Sequence, residues 1–131
     1  GAIYFMKFIY RPGSEGGLFP IVNFKAKSKS NFIDVSALID SGATISIFKL
    51  EVADFLGIDI RNGEETFLRG VAGRIQGYIH NVTILIAGKT ITIPIVFSKE
   101  YSVSFNILGR NTFFDSFKII FDEKNKVVEL I

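Results

Sequence analysis

Hydrophobic and polar positions alternate along most of this chain with a period of two residues, the spacing that puts successive side chains on opposite faces of a β-strand. Val82, Ile84 and Ile86 share one face; beyond Ala87-Gly88-Lys89, so do Ile91, Ile93 and Ile95, which predicts a β-hairpin over 80–97. Pro94 interrupts its second arm and suggests an edge or a bulge. The same alternation predicts strands over Phe19 to Ala26 and Phe32 to Ile39, with Lys27 to Asn31 as the turn between them. Ile3 to Ile9 is strand-like and runs into an open loop, Arg11 to Gly17; Phe117 to Phe121 and Val127 to Ile131 form a closing pair around Glu123-Lys124-Asn125. Between these, Thr66 to Ile79 reads as two strand-like stretches joined by the tip Gly70-Val71-Ala72-Gly73. Two stretches follow a helical period instead. Phe48, Val52, Phe55 and Leu56 fall on one side of a short helix ended by Gly57, and Asn111 to Ser116 reads as a second short helix capped by Asn111. The expectation is one all-β domain over 1–131 with one or two short helices.

One stretch does not fit the alternation. Ala37, Leu38 and Ile39 lead straight into Asp40, and apolar residues resume at Ile45, Ile47 and Phe48, so a carboxylate stands where the chain is otherwise core. It must be hydrogen-bonded, paired or shifted in its protonation, because an isolated charge in an apolar setting is expensive. Gly42 lets the backbone turn and aim amides at the carboxylate, and Ser41 adds a hydroxyl that can donate or accept. Asp-Ser-Gly is also an ordinary turn sequence. Two features set this copy apart: strong apolar residues flank it on both sides, and a second apolar run ending in glycine follows at Phe105-Asn106-Ile107-Leu108-Gly109-Arg110-Asn111.

Together the two segments resemble the retropepsin family, the single-domain aspartic peptidases of retroviruses and their cellular relatives. Asp40, Ser41, Gly42 and Ala43 fit its catalytic motif, and Asn106, Ile107, Leu108, Gly109, Arg110 and Asn111 fit its second motif, about 65 residues on, with a glycine-flanked hairpin between. The likeness runs from about Phe19 to the C-terminus. It implies a closed, barrel-like acid-protease fold, active as a symmetric homodimer, with Asp40, Ser41 and Gly42 as catalytic residues. It also implies that the Ser41 hydroxyl bonds across the two-fold axis, that the termini interleave in a dimer sheet, and that Gly70, Val71, Ala72 and Gly73 form a flap that closes on a peptide. Leu38, Ala43, Ile47 and Ile107 then border the substrate, which points to hydrophobic residues around the cut and to inhibition by pepstatin.

Hydrolysis by paired carboxylates needs two acids, one to activate water and one to protonate the substrate carbonyl. The chain has one Asp-Ser-Gly, since Asp115-Ser116-Phe117 lacks the glycine, so the second acid must come from a second copy in an isologous dimer.

Composition narrows the remaining choices. The net charge is +2, and Lys25, Lys27 and Lys29 stand on one strand face, a solvated face rather than a nucleic-acid site. Without cysteine there is no disulfide or thiol nucleophile, and the single His80, read as a surface strand residue, cannot build a metal site; no cofactor is expected. No stretch approaches the roughly 20 apolar residues of a membrane helix, no membrane partner is expected, and with nothing resembling a signal peptide the expected location is cytoplasmic. Two departures from the viral pattern stand out. Thr44 replaces an acid that pairs with the arginine of the second motif, here Arg110, and the segment before Pro20 is longer than the viral arm. Two other readings remain: a catalytically inactive retropepsin-fold dimerisation or peptide-binding module, and a β-barrel binding module in which Asp40 is a structural turn acid.

Overall fold

A computed structural model describes residues 5–70 and 73–131. In chain order the strands are β1 (Met6–Ile9), β2 (Arg11–Pro12), β3 (Leu18–Phe19), β4 (Ile21–Ser28), β5 (Asn31–Ile39), β6 (Ser46–Phe48), β7 (Glu64–Gly70), β8 (Gly73–Ile86), β9 (Lys89–Phe97), β10 (Ile107–Leu108), β11 (Ile119–Asp122) and β12 (Val127–Leu130). One α-helix, α1 (Leu50–Leu56), follows β6, and short 3-10 turns span Ile60–Asn62 and Phe113–Ser116.

Six strands close on themselves in the order β4, β5, β10, β6, β9, β8, with β8 pairing back to β4 at Lys25–Leu85 and Ala26–Ile84. The period-two pattern explains the closure. Val22, Phe24 and Ala26 of β4, Val35, Ala37 and Ile39 of β5, Val82, Ile84 and Ile86 of β8, and Ile93, Ile95 and Phe97 of β9 all point inward and are buried, with Phe48 and Leu108 beside them. Rolling the sheet into a barrel buries the inward-facing residues of these strands where they close on one another and leaves few free edges. The hairpin predicted over 80–97 is present with unbroken register, and Pro94 pairs with Asn81 without a bulge. It precedes Ile95, where β6 begins to pair with the other side of β9, so its missing N–H falls next to the stretch with a single neighbour.

Several elements differ from the sequence expectation. The strand expected over Phe19 to Ala26 is divided at Pro20 into β3 and β4, because β3 pairs locally with β2 while β4 joins the barrel. The following turn is tighter than expected, since β4 reaches Ser28 and β5 starts at Asn31. In α1, Val52, Ala53 and Leu56 are the buried positions, and Phe55 lies outside their arc and is 74% exposed. The helix does stop at Gly57, whose backbone is left-handed (φ 70°). Asn111 does not cap the 113–116 turn: Thr112 holds that position without a side-chain cap, while the Asn111 amide donates to the Thr44 carbonyl at 2.9 Å. His80 is half-buried, its Nε2–H donating to the Ile60 carbonyl at 2.8 Å and its ring set edge-on against Phe97.

The terminal strands form a separate sheet in the order β1, β12, β11, all antiparallel. Val128 and Leu130 of the middle strand are fully buried, whereas Met6, Ile9 and Phe121 on the outer strands are exposed. Among the described residues no helix is long and apolar enough to cross a membrane.

Candidate active site

Asp40 is the first residue after β5, and its backbone is fixed before its side chain is considered. Strand β10 is only two residues long and lies between β5, to which it is parallel, and β6, to which it is antiparallel. The Asp40 amide donates to the Leu108 carbonyl at 3.0 Å, and the preceding Ile39 amide donates to the Pro20 carbonyl at 3.0 Å. The turn is then closed locally: Gly42 N–H donates to Asp40 Oδ1 at 2.9 Å, and Ala43 N–H to the Asp40 carbonyl at 3.2 Å. Asp40 is half-buried, Ser41 and Gly42 are exposed, and Ala43 is half-buried. A backbone amide is the kind of donor that an ionised carboxylate in a partly apolar place requires.

The second motif buttresses this turn from below. Arg110 N–H donates to the Ala43 carbonyl at 2.9 Å, and Gly109 N–H to the buried Ser46 Oγ at 3.0 Å. Gly109 passes so close to the turn that an added Cβ would lie 2.9 Å from the Ala43 carbonyl oxygen and nearer still to the Ile45 carbonyl. Asn106 joins β5 to the start of α1, its Nδ2 donating to the Ser36 carbonyl at 3.0 Å and its Oδ1 accepting from the Lys49 amide at 2.8 Å. Arg110 itself is exposed, and among the described residues no ion pair involves it.

Leu38, Ile107 and Ile47 come together, because Ile107 is in register with Leu38 on one side and with Ile47 on the other. Residues paired across strands project from the same face. Leu38 and Asp40 are two apart, so this apolar row stands on the Asp40 side of the sheet and the core residues Ala37, Ile39 and Leu108 on the other. Gly70 and Gly73 pair with each other at the far end of the β7–β8 hairpin; Val71 and Ala72, the expected flap tip, lie outside the described residues.

Three contributors had little or no sequence signal. Ser46 was visible only as a polar residue within Ile45-Ser46-Ile47-Phe48, and Pro20 acts through its carbonyl, which any residue supplies. Tyr101 sits in the polar 98–106 loop, its hydroxyl donating to the Phe105 carbonyl at 2.6 Å. Burial pushes its phenol up to about 12, and the negative charge of Asp40 adds to the rise. The folded value lies above the ordinary 10.0, so the stability linked to this proton is complete below pH 10 and is lost as the pH climbs towards 12. Denaturant midpoints measured over that window should therefore fall, and fall less in Tyr101→Phe; equal slopes in the two proteins would remove Tyr101 as the cause. Among the described residues no group of three or more metal-ligating side chains comes together.

No family model matches the chain, and no curated protein matches it. Solved structures do. The chain is similar to a retropepsin-like aspartic protease from Rickettsia conorii, with a TM-score of 0.67 and 18% identity over 96% of this chain and 91% of that one. It is also similar to EIAV protease, solved in complex with the inhibitor HBY-793, with a TM-score of 0.59 and 23% identity over 74% of this chain and 86% of that one. At such identities the likeness is one of fold, and both neighbours are proteases of one architecture. The closed barrel, the two-residue strand threaded beneath the Asp40 turn and these two matches together establish that this chain has the retropepsin fold.

Proposed function

We propose that the protein is an aspartic endopeptidase whose active unit is a homodimer, with Asp40 of each copy supplying one of two carboxylates. The observation that carries this reading is the Asp40 turn: a carboxylate held by the Gly42 amide, locked from below by the Leu108 carbonyl and the Arg110 amide, and set beside the apolar row Leu38–Ile107–Ile47. Brought together on a two-fold axis, two such carboxylates share one proton, because like charges at short range cannot both ionise cheaply. The ionised member takes a proton from water as it attacks the scissile carbonyl carbon, and the protonated member gives its proton to the carbonyl oxygen. In this reading Ser41, exposed beside Asp40, hydrogen-bonds across the axis. The apolar row and Ala43 favour hydrophobic side chains around the cut, and the β7–β8 hairpin, with its paired glycines, serves as the flap that clamps the peptide backbone.

The terminal sheet bears on how two copies meet. Strand β12 has β1 on one edge and β11 on the other, so within the described chain its own edges are taken. A second copy therefore joins through the exposed outer strands, where Met6, Ile9 and Phe121 lie, or displaces β1.

The test is cleavage of a peptide with hydrophobic residues about the scissile bond, followed across pH. The expected profile is bell-shaped and pepstatin abolishes it, since one proton must be present and a second absent. A dimer that binds the peptide and leaves it intact would replace this reading with that of an inactive binding module. Activity rising without limit into alkali would point to different chemistry.

A further inference from the structure

The side chains of Ser98 and Glu100 take over where strand β9 ends. Along β8 the last backbone partner on the β9 side is Phe97, opposite Tyr78. That register would place Gln76 opposite Lys99, but the chain turns away at 98–100, with the Tyr101 amide returning to the Ser98 carbonyl. Gln76 is nonetheless satisfied on this side. Its N–H donates to Glu100 Oε2 at 2.6 Å, and its carbonyl accepts from Ser98 Oγ at 2.5 Å. Ser98 Oγ in turn accepts from the Glu100 amide at 3.1 Å, which ties the Ser98 side chain to the Glu100 backbone. Ser98 is 2% exposed and, with Ser46, one of two buried polar residues among the described residues. Next to Gln76, Gly77 crosses residues 96–98 so closely that a Cβ would lie 2.7 Å from Val96 Cγ1 and 2.9 Å from the Phe97 carbonyl oxygen.

We infer that Ser98 and Glu100 form a side-chain clamp that anchors the β7–β8 hairpin at Gln76 and sets where it begins to bend, making them positioning residues for a peptide beneath it. An edge continued by a carboxylate and a buried hydroxyl is stiff as far as Gln76, and charge-assisted bonds are the stronger kind. Beyond Gln76, residues 73–75 are held by β7 alone. The clamp also ties the hairpin to the 98–106 loop, whose Asn106 fastens β5 beside the Asp40 turn. Hairpin movement and the floor of the site are thereby linked through one short segment.

The consequence for substrate rests on the endopeptidase reading; the clamp itself does not. Two measurements separate them. Amide hydrogen exchange on the intact chain should find Gln76 protected like Tyr78; in Glu100→Ala its exchange should quicken about tenfold, the equivalent of one such hydrogen bond, while Val82 to Ile86 stay unchanged. Glu100→Gln keeps an acceptor and should restore most of the protection. With a hydrophobic peptide, Glu100→Ala should raise KM about tenfold and leave kcat within about twofold, because a loosened clamp weakens binding without touching the carboxylates, and Glu100→Gln should recover KM. Unaltered exchange at Gln76 would overturn the clamp. Quickened exchange with unaltered KM would overturn the positioning role. A chain that cleaves nothing would sink the endopeptidase reading and leave the clamp to be judged by exchange.

Discussion

Asp40→Asn is expected to give a folded dimer that cleaves a hydrophobic peptide roughly a thousandfold more slowly, within the range that general acid-base catalysis contributes. Asn is nearly isosteric with Asp and keeps an oxygen to accept the Gly42 amide, so the local turn survives. The backbone bonds from Asp40 to Leu108 and from Arg110 to Ala43 do not involve the side chain. What is lost is the exchangeable proton, and no other carboxylate lies in that turn. Dimerisation should hold or tighten, since two carboxylates that repel one another have been removed from a desolvated axis. Sedimentation paired with a cleavage assay reads both halves: a folded dimer still cleaving at the original rate would remove Asp40 from the chemistry.

Gly109→Ala is expected to lower stability by roughly 3–5 kcal/mol, a cost in the range for forced overpacking combined with broken hydrogen bonds. The new methyl would meet the carbonyls of Ile45 and Ala43, which are backbone and cannot swing aside. Relief requires the Gly109 strand end to move away, which stretches the bonds to Ser46 Oγ, Ala43 and Thr44 at once. For a chain of this length the thermal midpoint should drop by more than about 10 °C. The effect on cleavage should exceed the effect on stability, because the same bonds hold the Asp40 turn. A variant that melts within about 2 °C of the original would mean that the close approach relaxes freely.

How much of this was legible beforehand depends on whether an element states its role locally. The hairpin 80–97 was legible because Val82, Ile84, Ile86, Ile93 and Ile95 alternate inward, and the Asp40 turn because a carboxylate within an apolar run needs an explanation. Strand β10 was not recoverable as a strand: Ile107 and Leu108 carry no period, and their place is set by partners about 60 to 70 residues away in sequence. The same holds for the Ser98–Glu100 clamp and for Tyr101, whose significance comes from what the fold brings near them. Phe55 misled for a related reason, since a helix lying close on a sheet turns its small Ala53 inward and one more large residue than the contact can cover is left outside. The break at Pro20 follows from competition between a local partner, β2, and the barrel, which local propensity does not arbitrate.

The central claim is that each copy contributes one Asp40 to a shared site, and subunit mixing tests it most directly. Unsubstituted chain is mixed with Asp40→Asn at fixed total concentration above the dimer dissociation constant, and cleavage of a hydrophobic peptide is followed as the fraction of unsubstituted chain is varied. If both carboxylates are required, activity falls as the square of that fraction, to about a quarter at equal parts, because only dimers of two unsubstituted chains carry the pair. With subunits fully exchanged, activity that stays at half or more at equal parts would mean that a dimer carrying one Asp40 cleaves, and the two-carboxylate account would be wrong.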